Sequence, residues 1–187
     1  MFKLTRKNFA VPLFVGMLVT GTAFPAMAAK ESLIGKVSTI DESAGTLMIA
    51  EDTIEIDAND ASIRKKGVES ATLADIAEGD TVKIDGSADS STGVIQATKI
   101  KEPAKLKGYD VKITGTTKNV NTSAKTFAVF GQQIKASGLS GVSMSSKTIS
   151  FGNMRSGVSV DVYATVKDNT LFAKKLVIRS ESCNFCH

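Results

Sequence analysis

The residues best suited to chemistry lie together in a five-residue segment. The 187 residues contain two cysteines and one histidine, and all three fall in Cys183-Asn184-Phe185-Cys186-His187. A Ser-His-Asp triad, a histidine-rich metal site and a disulfide-knit scaffold therefore cannot be assembled from the rest of the sequence. The acidic residues fall at turns and at solvent-facing strand positions, without the pairing typical of acid–base catalysis. The sequence predicts a protein that is not an enzyme.

Two thiols three positions apart, followed directly by an imidazole, fit one cofactor well. Each thiol can add to one vinyl group of a haem, and the adjacent imidazole can then reach the iron. The segment resembles the attachment motif of c-type cytochromes, although the resemblance covers only five residues. It implies one covalent haem c, with Cys183 and Cys186 as thioether anchors and His187 as the proximal iron ligand. It also implies haem attachment outside the cytoplasmic membrane.

The distal iron ligand has to be something other than a second histidine, because the sequence has one histidine. The thioethers of Met144 and Met154 are the candidates, with Met48 as the third methionine after Ala28. Met144 lies in a Ser- and Gly-rich loop, whereas Met154 matches an apolar core position of a repeat described below. Without a methionine, the iron is five-coordinate or takes a ligand from a neighbouring molecule or an α-amino group.

Three other interpretations of the same segment stay open. A disulfide between Cys183 and Cys186 is an ordinary outcome for an exported cysteine pair, but it leaves His187 without a role. A thioredoxin-type redox pair requires a helix N-terminus in a βαβ setting, which the sequence does not predict. Zinc would find three ligands, two of which are adjacent and poorly disposed for one tetrahedral site.

The segment from Met1 to Ala28 has the features of a secretory signal. Three basic residues precede an apolar stretch, and Ala26-Met27-Ala28 supplies the small residues of a cleavage site. The apolar run is shorter than a membrane-spanning helix, which disfavours a retained anchor. We expect cleavage after Ala28 and export to the periplasm or the cell exterior, with no membrane span in the mature chain.

The remaining sequence predicts an all-β fold. Short β-branched runs alternate apolar and polar residues between turns rich in Gly, Asp, Asn and Ser. In the first half these runs are Ile34–Asp41, Thr46–Ile49, Thr53–Ile56, Thr81–Ile84 and Val94–Ile100. Only Ser70–Ala77 suggests a helical turn.

This strand pattern occurs twice. Residues 35–54 match 115–134 at an offset of 80, 76–84 match 154–162 at 78, and 95–100 match 171–176 at 76. The repeat predicts two tandem domains of five to six strands each, and about 70 residues suit a small OB-like β-barrel. The predicted boundaries are 1–28 for the signal, 32–101 and 111–179 for the barrels, 102–110 for the linker and 180–187 for the haem-attachment tail.

Four short motifs connect the first copy to a known family. They are Gly-x-Val-x-x-Ile-Asp from residue 35, Gly-Thr-Leu from 45, Glu-Gly-Asp-x-Val-x-Ile-x-Gly from 78 and Ala-Thr-x-Ile from 97. The pattern resembles a bacterial secreted β-barrel domain of unknown function that often occurs in tandem. The second copy has Gly157-Val158 where the first has Gly-Asp. The resemblance implies a fold and no activity, since one fold hosts many functions.

Charge is distributed unevenly between the two copies. The formal net charge of +4 falls to +1 once the segment Met1 to Ala28 is removed, so no general attraction to nucleic acid is expected. Residues 32–101 carry 13 acidic and 7 basic side chains, and residues 102–187 carry 5 and 12. Surface drift after duplication explains this contrast, and head-to-tail pairing between domains or between successive molecules is the alternative.

Together these features predict an exported monohaem c-type cytochrome that transfers electrons outside the cytoplasmic membrane. An exposed haem edge suits outer-sphere transfer to redox partner proteins or to an extracellular acceptor. A flat apolar macrocycle requires cover from a groove, the interdomain crevice or another subunit, so a polymerising haem protein is the bolder version. The alternative is a non-enzymatic envelope or surface module, for binding or structure, whose terminal Cys-x-x-Cys is a disulfide or metal clip.

Overall fold

The structure, a computed structural model, describes residues 30–139, 142–144 and 147–179. Thirteen strands and two single-turn 3-10 helices make up the regular structure of these residues, which confirms the all-β prediction. The first six strands are β1 Ser32–Asp41, β2 Thr46–Ile49, β3 Ile54–Asp57, β4 Ser62–Lys65, β5 Thr81–Ala88 and β6 Ile95–Glu102. The others are β7 Val111–Asn121, β8 Thr126–Val129, β9 Gln132–Lys135, β10 Val142–Met144, β11 Lys147–Ile149, β12 Ser159–Lys167 and β13 Thr170–Ile178.

Five strands of the first half close on themselves. β1 pairs with β2 and β5, β2 pairs with β3, and β6 completes the ring by pairing with β3 and β5. Closure removes the free strand edges that a small open sheet exposes. The extra strand β4 runs parallel to β6 beyond the end of β3, and the 3-10 helix Leu73–Asp75 lies between β4 and β5. The predicted small β-barrel is therefore present.

The second half follows the same order of pairing. β7 pairs with β8 and β12, β8 with β9, and β13 pairs with both β9 and β12. β10 then runs parallel to β13, as β4 does to β6, and the 3-10 helix Phe151–Asn153 precedes β12. Each half of the described chain thus contains a ring of five strands with short strands added at one side.

The two rings share a strand pairing. β1 and β7 are antiparallel neighbours, with Leu33 opposite Ile113 and Gly35 opposite Val111. A second contact joins the start of β9 to the first ring, where the Gln132 side-chain amide donates to the Gly93 carbonyl at 2.7 Å. The sheet therefore continues from one ring into the other.

The apolar core follows from the alternation along each strand. In β1, residues 33, 35 and 37 are buried while 36 and 39 are exposed, and β5, β6, β7, β12 and β13 show similar patterns. The buried apolar side chains form one connected cluster across both rings. Its largest fully buried members include Phe127, Phe130, Leu33, Leu47, Ile84 and Ile113. The apolar core thus contains residues from both halves of the chain.

Candidate functional site

The three predicted haem residues, Cys183, Cys186 and His187, lie outside the described residues, as does the predicted signal. The structure describes the point from which the tail leaves the barrel. The Arg179 amide donates to the Ser159 carbonyl at 2.9 Å, and its Nε lies 3.5 Å from Oδ1 of Asp161. Four positions further on, Cys183 can lie at most about 14 Å from this point.

The backbone of Met144 lies beside the base of the tail. Parallel pairing of β10 with β13 places Met144 opposite Ile178, five positions before Cys183. Because neighbouring strands lie about 4.8 Å apart, Met144 occupies the strand next to the one that leads into the tail. The backbone of Met144 is therefore close to the described end of β13.

Met154 is a core residue. It follows the second 3-10 helix, its side chain is 1% exposed, and its repeat counterpart Ile76 is 4% exposed at the same position after the first helix. The repeat predicted this burial, and the structure confirms it. Withdrawing a buried methionine from such a core costs about 2–5 kcal/mol, so Met154 is poorly placed to bind an external iron.

A cleft of about 540 Å³ opens at the junction of the two rings. Its polar lining consists of Lys36, Ser38, Glu51, Glu78, Tyr109 and Asp110. The cleft lies at the start of β7, where the Asp110 amide donates to the Ala164 carbonyl. The tail begins beside Ser159, which pairs with Thr116 further along β7. Five strand positions, roughly 17 Å, separate these two places along β7. The cleft is therefore not adjacent to the base of the tail.

One wall of this cleft is a strained turn between β2 and β3. Ala50, Glu51 and Asp52 all have positive φ, at 57°, 53° and 57°. Such left-handed geometry costs non-glycine residues about 1 kcal/mol or more each. Hydrogen bonds to β1 hold the turn, because Thr39 Oγ1 donates to Asp52 Oδ1 at 2.7 Å and the Asp52 amide donates to Ser38 Oγ at 3.2 Å. Sequence reasoning did not find this turn, which lacks the glycine that usually marks positive φ.

Several exposed carboxylates are held by turns. Hydrogen bonds from the Ser91 hydroxyl and from the amides of Thr92 and Ser91 lower the pKa of Asp89 to about 2. The Ser43 hydroxyl and the Ala44 amide lower the pKa of Asp41 in the same way. These shifts come from turn geometry, so they do not indicate a catalytic acid or base.

A resident metal site and a bilayer-spanning helix are both missing from the part of the chain that the structure describes. No three or more His, Cys, Asp or Glu side chains there are grouped to hold a metal ion. Neither 3-10 helix has the length or apolarity to cross a bilayer. The iron-binding chemistry predicted from the sequence thus rests on residues 183–187.

Residues 34–101 match the family model of a domain of unknown function, DUF5666. The matched range begins in β1 and ends in β6, and so covers the first ring. No curated protein and no solved structure matches the chain. The match confirms that the first half carries a domain of unknown function, as its motifs predicted. The tandem copy, the export and the haem remain predictions.

Proposed function

We propose that this protein is an exported monohaem c-type cytochrome that carries electrons outside the cytoplasmic membrane. The observation that carries the proposal is the Cys-x-x-Cys-His segment at residues 183–187, a few residues after the last described strand, which ends at Ile178. Cys183 and Cys186 would hold the haem by thioethers, and His187 would be the proximal ligand. When bound, the haem supplies a one-electron iron couple.

The described residues support a defined place for the cofactor. Two contacts hold Arg179, and with it the start of the tail, against β12. They are the Arg179–Asp161 ion pair and the hydrogen bond from the Arg179 amide to the Ser159 carbonyl. Met144, on the strand beside Ile178, is the proposed distal ligand. Met154 is buried in the core, which argues against it as the distal ligand. The interdomain cleft is not adjacent to the base of the tail, which argues against it as the place for the haem. The scaffold's role is to hold the tail and to leave a haem edge open to a redox partner.

We infer that residues 111–179 are a second copy of the first domain. Gly79 and Gly157 both have φ of 90°. The Gly79 amide donates to the Val37 carbonyl at 2.9 Å, and the Gly157 amide donates to the Thr117 carbonyl at 2.8 Å. Val37 and Thr117 are themselves counterparts at the offset of the sequence repeat. Agreement in backbone geometry at equivalent positions supports duplication.

The test is the covalent state of the exported protein. The chain is secreted from a host with haem-attachment machinery, and its pyridine haemochrome spectrum and intact mass are measured. We expect one haem per chain. The haemochrome absorption and the added haem mass should both be lost in Cys183→Ser/Cys186→Ser and kept in the control Ser91→Ala, which lies in a distant turn. An exported protein whose mass shows two free thiols or an internal disulfide, with no haem, would refute the proposal.

A second candidate is a non-enzymatic envelope or surface module whose Cys183 and Cys186 form a clip. The closed rings and the connected core of the described residues favour it, because small closed β-barrels commonly serve as binding modules. Deleting residues 180–187 separates the two functions. A module keeps its partner binding after the deletion, whereas an electron carrier loses all redox activity.

A further inference from the structure

A row of basic side chains crosses the outer face of both rings. Successive cross-strand partners on β4, β6, β5, β1, β7, β12 and β13 are Arg64, Lys101, Lys83, Ile34, Lys112, Tyr163 and Lys175. We call these seven residues the basic row. At about 4.8 Å between strands, the row extends roughly 29 Å along the surface.

The basic row points away from the core. Its sequence neighbours Ile84, Ile100 and Ile113 are fully buried, and strand alternation directs the residues between them outward. Arg64, Lys101 and Lys175 are exposed. The side chains of Lys83 and Lys112 are 36% and 23% exposed, nearer the join of the two rings.

Two carboxylates beside the row are already shared between cations. Asp85 contacts Lys83 at 3.2 Å and Lys30 at 3.1 Å. Asp161 contacts Lys112 at 3.2 Å and Arg179 at 3.5 Å. Because each carboxylate has two cationic partners, each cluster keeps a net positive charge.

The end of the row on β4 and β6 carries charge without ion pairs. Among the described residues, Arg64, Lys99 and Lys101 form no ion pair. Lys99 is the partner of Asp85 on β6 and lies next to the row. Repulsion by Arg64, and then by Lys101, lowers the pKa of Lys99, which reports a positive potential on this surface. The acidic first domain therefore has a basic face that continues into the second.

We propose that the basic row binds a linear acidic polysaccharide. Five cations along one line of cross-strand neighbours, interrupted by Ile34 and Tyr163, complement a linear polymer with repeating carboxylate or sulfate groups. This site goes beyond the proposed electron transfer and does not depend on the tail.

The aromatic content of the row separates this ligand from nucleic acid. Single-stranded nucleic acid is bound by charge together with successive open aromatic rings on which bases stack. The row contains one aromatic residue, Tyr163, whose ring already has Lys112 and Lys175 ammonium groups 5.2 and 5.4 Å from its centroid. The Tyr109 ring lies 5.1 Å from it as well. Over most of the row, a ligand can therefore make contacts with charged groups but cannot stack on an open aromatic ring.

The experiment measures binding of the full secreted protein to polygalacturonate by titration calorimetry at about 20 and about 150 mM NaCl, chosen to lie on either side of strong screening. Neutral dextran, single-stranded oligonucleotide and anionic vesicles serve as comparison ligands. The test variant is Arg64→Gln/Lys101→Gln. The control is Lys118→Gln/Lys167→Gln, which removes the same charge at exposed positions outside the row. Thermal unfolding verifies that both variants fold.

We expect polygalacturonate to bind more weakly at the higher salt, and dextran not to bind. The test variant should bind on the order of tenfold more weakly, and the control should change less than about twofold. Equal losses in both variants, or no binding at the lower salt, would overturn the proposal. Tighter binding to the oligonucleotide or to the vesicles than to polygalacturonate would overturn the choice of ligand.

Discussion

Leu33 and Ile113 face each other directly in the antiparallel pairing of β1 with β7. Their separation in the sequence equals the offset of the repeat, so each residue is paired with its own counterpart. Ser32 opposite Thr114 and Gly35 opposite Val111 continue the same register. Under the proposed duplication, a local two-fold axis through the Leu33–Ile113 pair would relate the two rings, each of which would use the same edge.

We expect Leu33→Ala and Ile113→Ala each to lower the free energy of unfolding by about 2–4 kcal/mol, because both side chains are fully buried. Their combination should be non-additive, since the two residues are neighbours. Urea unfolding measures all three variants. Leu33→Ala combined with Ile134→Ala, whose residues are not cross-strand partners, is the control and should be additive. Additive effects for the 33/113 pair would contradict a direct interaction between these two side chains across the β1–β7 pairing.

Gly35 and Gly115 are equivalent positions that should differ in tolerance. A methyl group on Gly35 would clash with Cγ2 of Ile49, whereas on Gly115 it would lie 3.0 Å from Cγ1 of Val129. We expect Gly35→Ala to cost about 1–3 kcal/mol, as overpacking does, and Gly115→Ala to cost less. Thermal unfolding of the two variants tests the order, and a larger loss for Gly115→Ala would show that Ile49 moves aside easily.

Thr117 brings a buried hydroxyl to the position that Val37 occupies in the first ring. Its Oγ1 donates to the Arg155 carbonyl at 2.8 Å and accepts from the Val158 amide at 3.0 Å. Thr117→Val removes both of these hydrogen bonds, so a loss of about 1–3 kcal/mol is expected in chemical unfolding. Thr117→Ser keeps the hydroxyl and should recover part of the loss. Equal stability of the Val and Ser variants would mean that the hydroxyl is unimportant.

Acid should destabilise the protein below about pH 4. Turn hydrogen bonds lower the folded-state pKa of Asp89 and Asp41, so the unfolded chain takes up protons first as the pH falls. Their stabilising effect is present above the unfolded pKa and is lost as the pH falls toward 2. The measurement is the thermal midpoint between pH 2 and 6.

Asp41→Asn provides the matched variant for this titration. Asn121 occupies the equivalent turn and accepts from the Ala124 amide at 2.8 Å, so the substitution copies a turn that the chain already contains. The variant should depend less on pH between 4 and 2 than the parent. An unchanged pH dependence would assign acid sensitivity to other groups.

Met144→Leu and Met154→Leu test the proposed distal ligand in the haem-loaded protein. Methionine ligation raises the reduction potential, so Met144→Leu should lower the midpoint potential and change the visible spectrum. Met154→Leu conserves volume in the core and should leave both readouts unchanged, at a cost below about 1.5 kcal/mol. A changed spectrum only in Met154→Leu would reverse the assignment.

Local signals in the sequence predicted much of the fold. β2 spans Thr46–Ile49 as its alternation indicated, and Gly45 in the preceding turn has φ of 68°. The helical turn expected near residues 70–77 is a single 3-10 turn at Leu73–Asp75. The short strands β4, β10 and β11 were not predicted. β4 and β10 form by parallel pairing with strands distant in the sequence, and β11 pairs with β10.

The basic row could not be predicted from any one segment. Lys83 and Lys101 each follow an apolar residue in an alternating strand, a pattern typical of an ordinary solvent face. Their alignment with Lys112 and Lys175 depends on the register of four further strands and on the join between the rings. The net charge of the first half does not reveal the row, because acidic side chains elsewhere in that half outnumber its basic ones.

The pairing of β1 with β7 also governs how the chain can be divided. Cutting within residues 103–110 would leave each fragment with an unsatisfied line of backbone amides and carbonyls along its own first strand. Since the two edges are counterparts, each fragment would carry a surface complementary to itself. Such halves are suited to homodimerise, and under the proposed duplication the fused chain amounts to a covalent dimer of one ancestral unit.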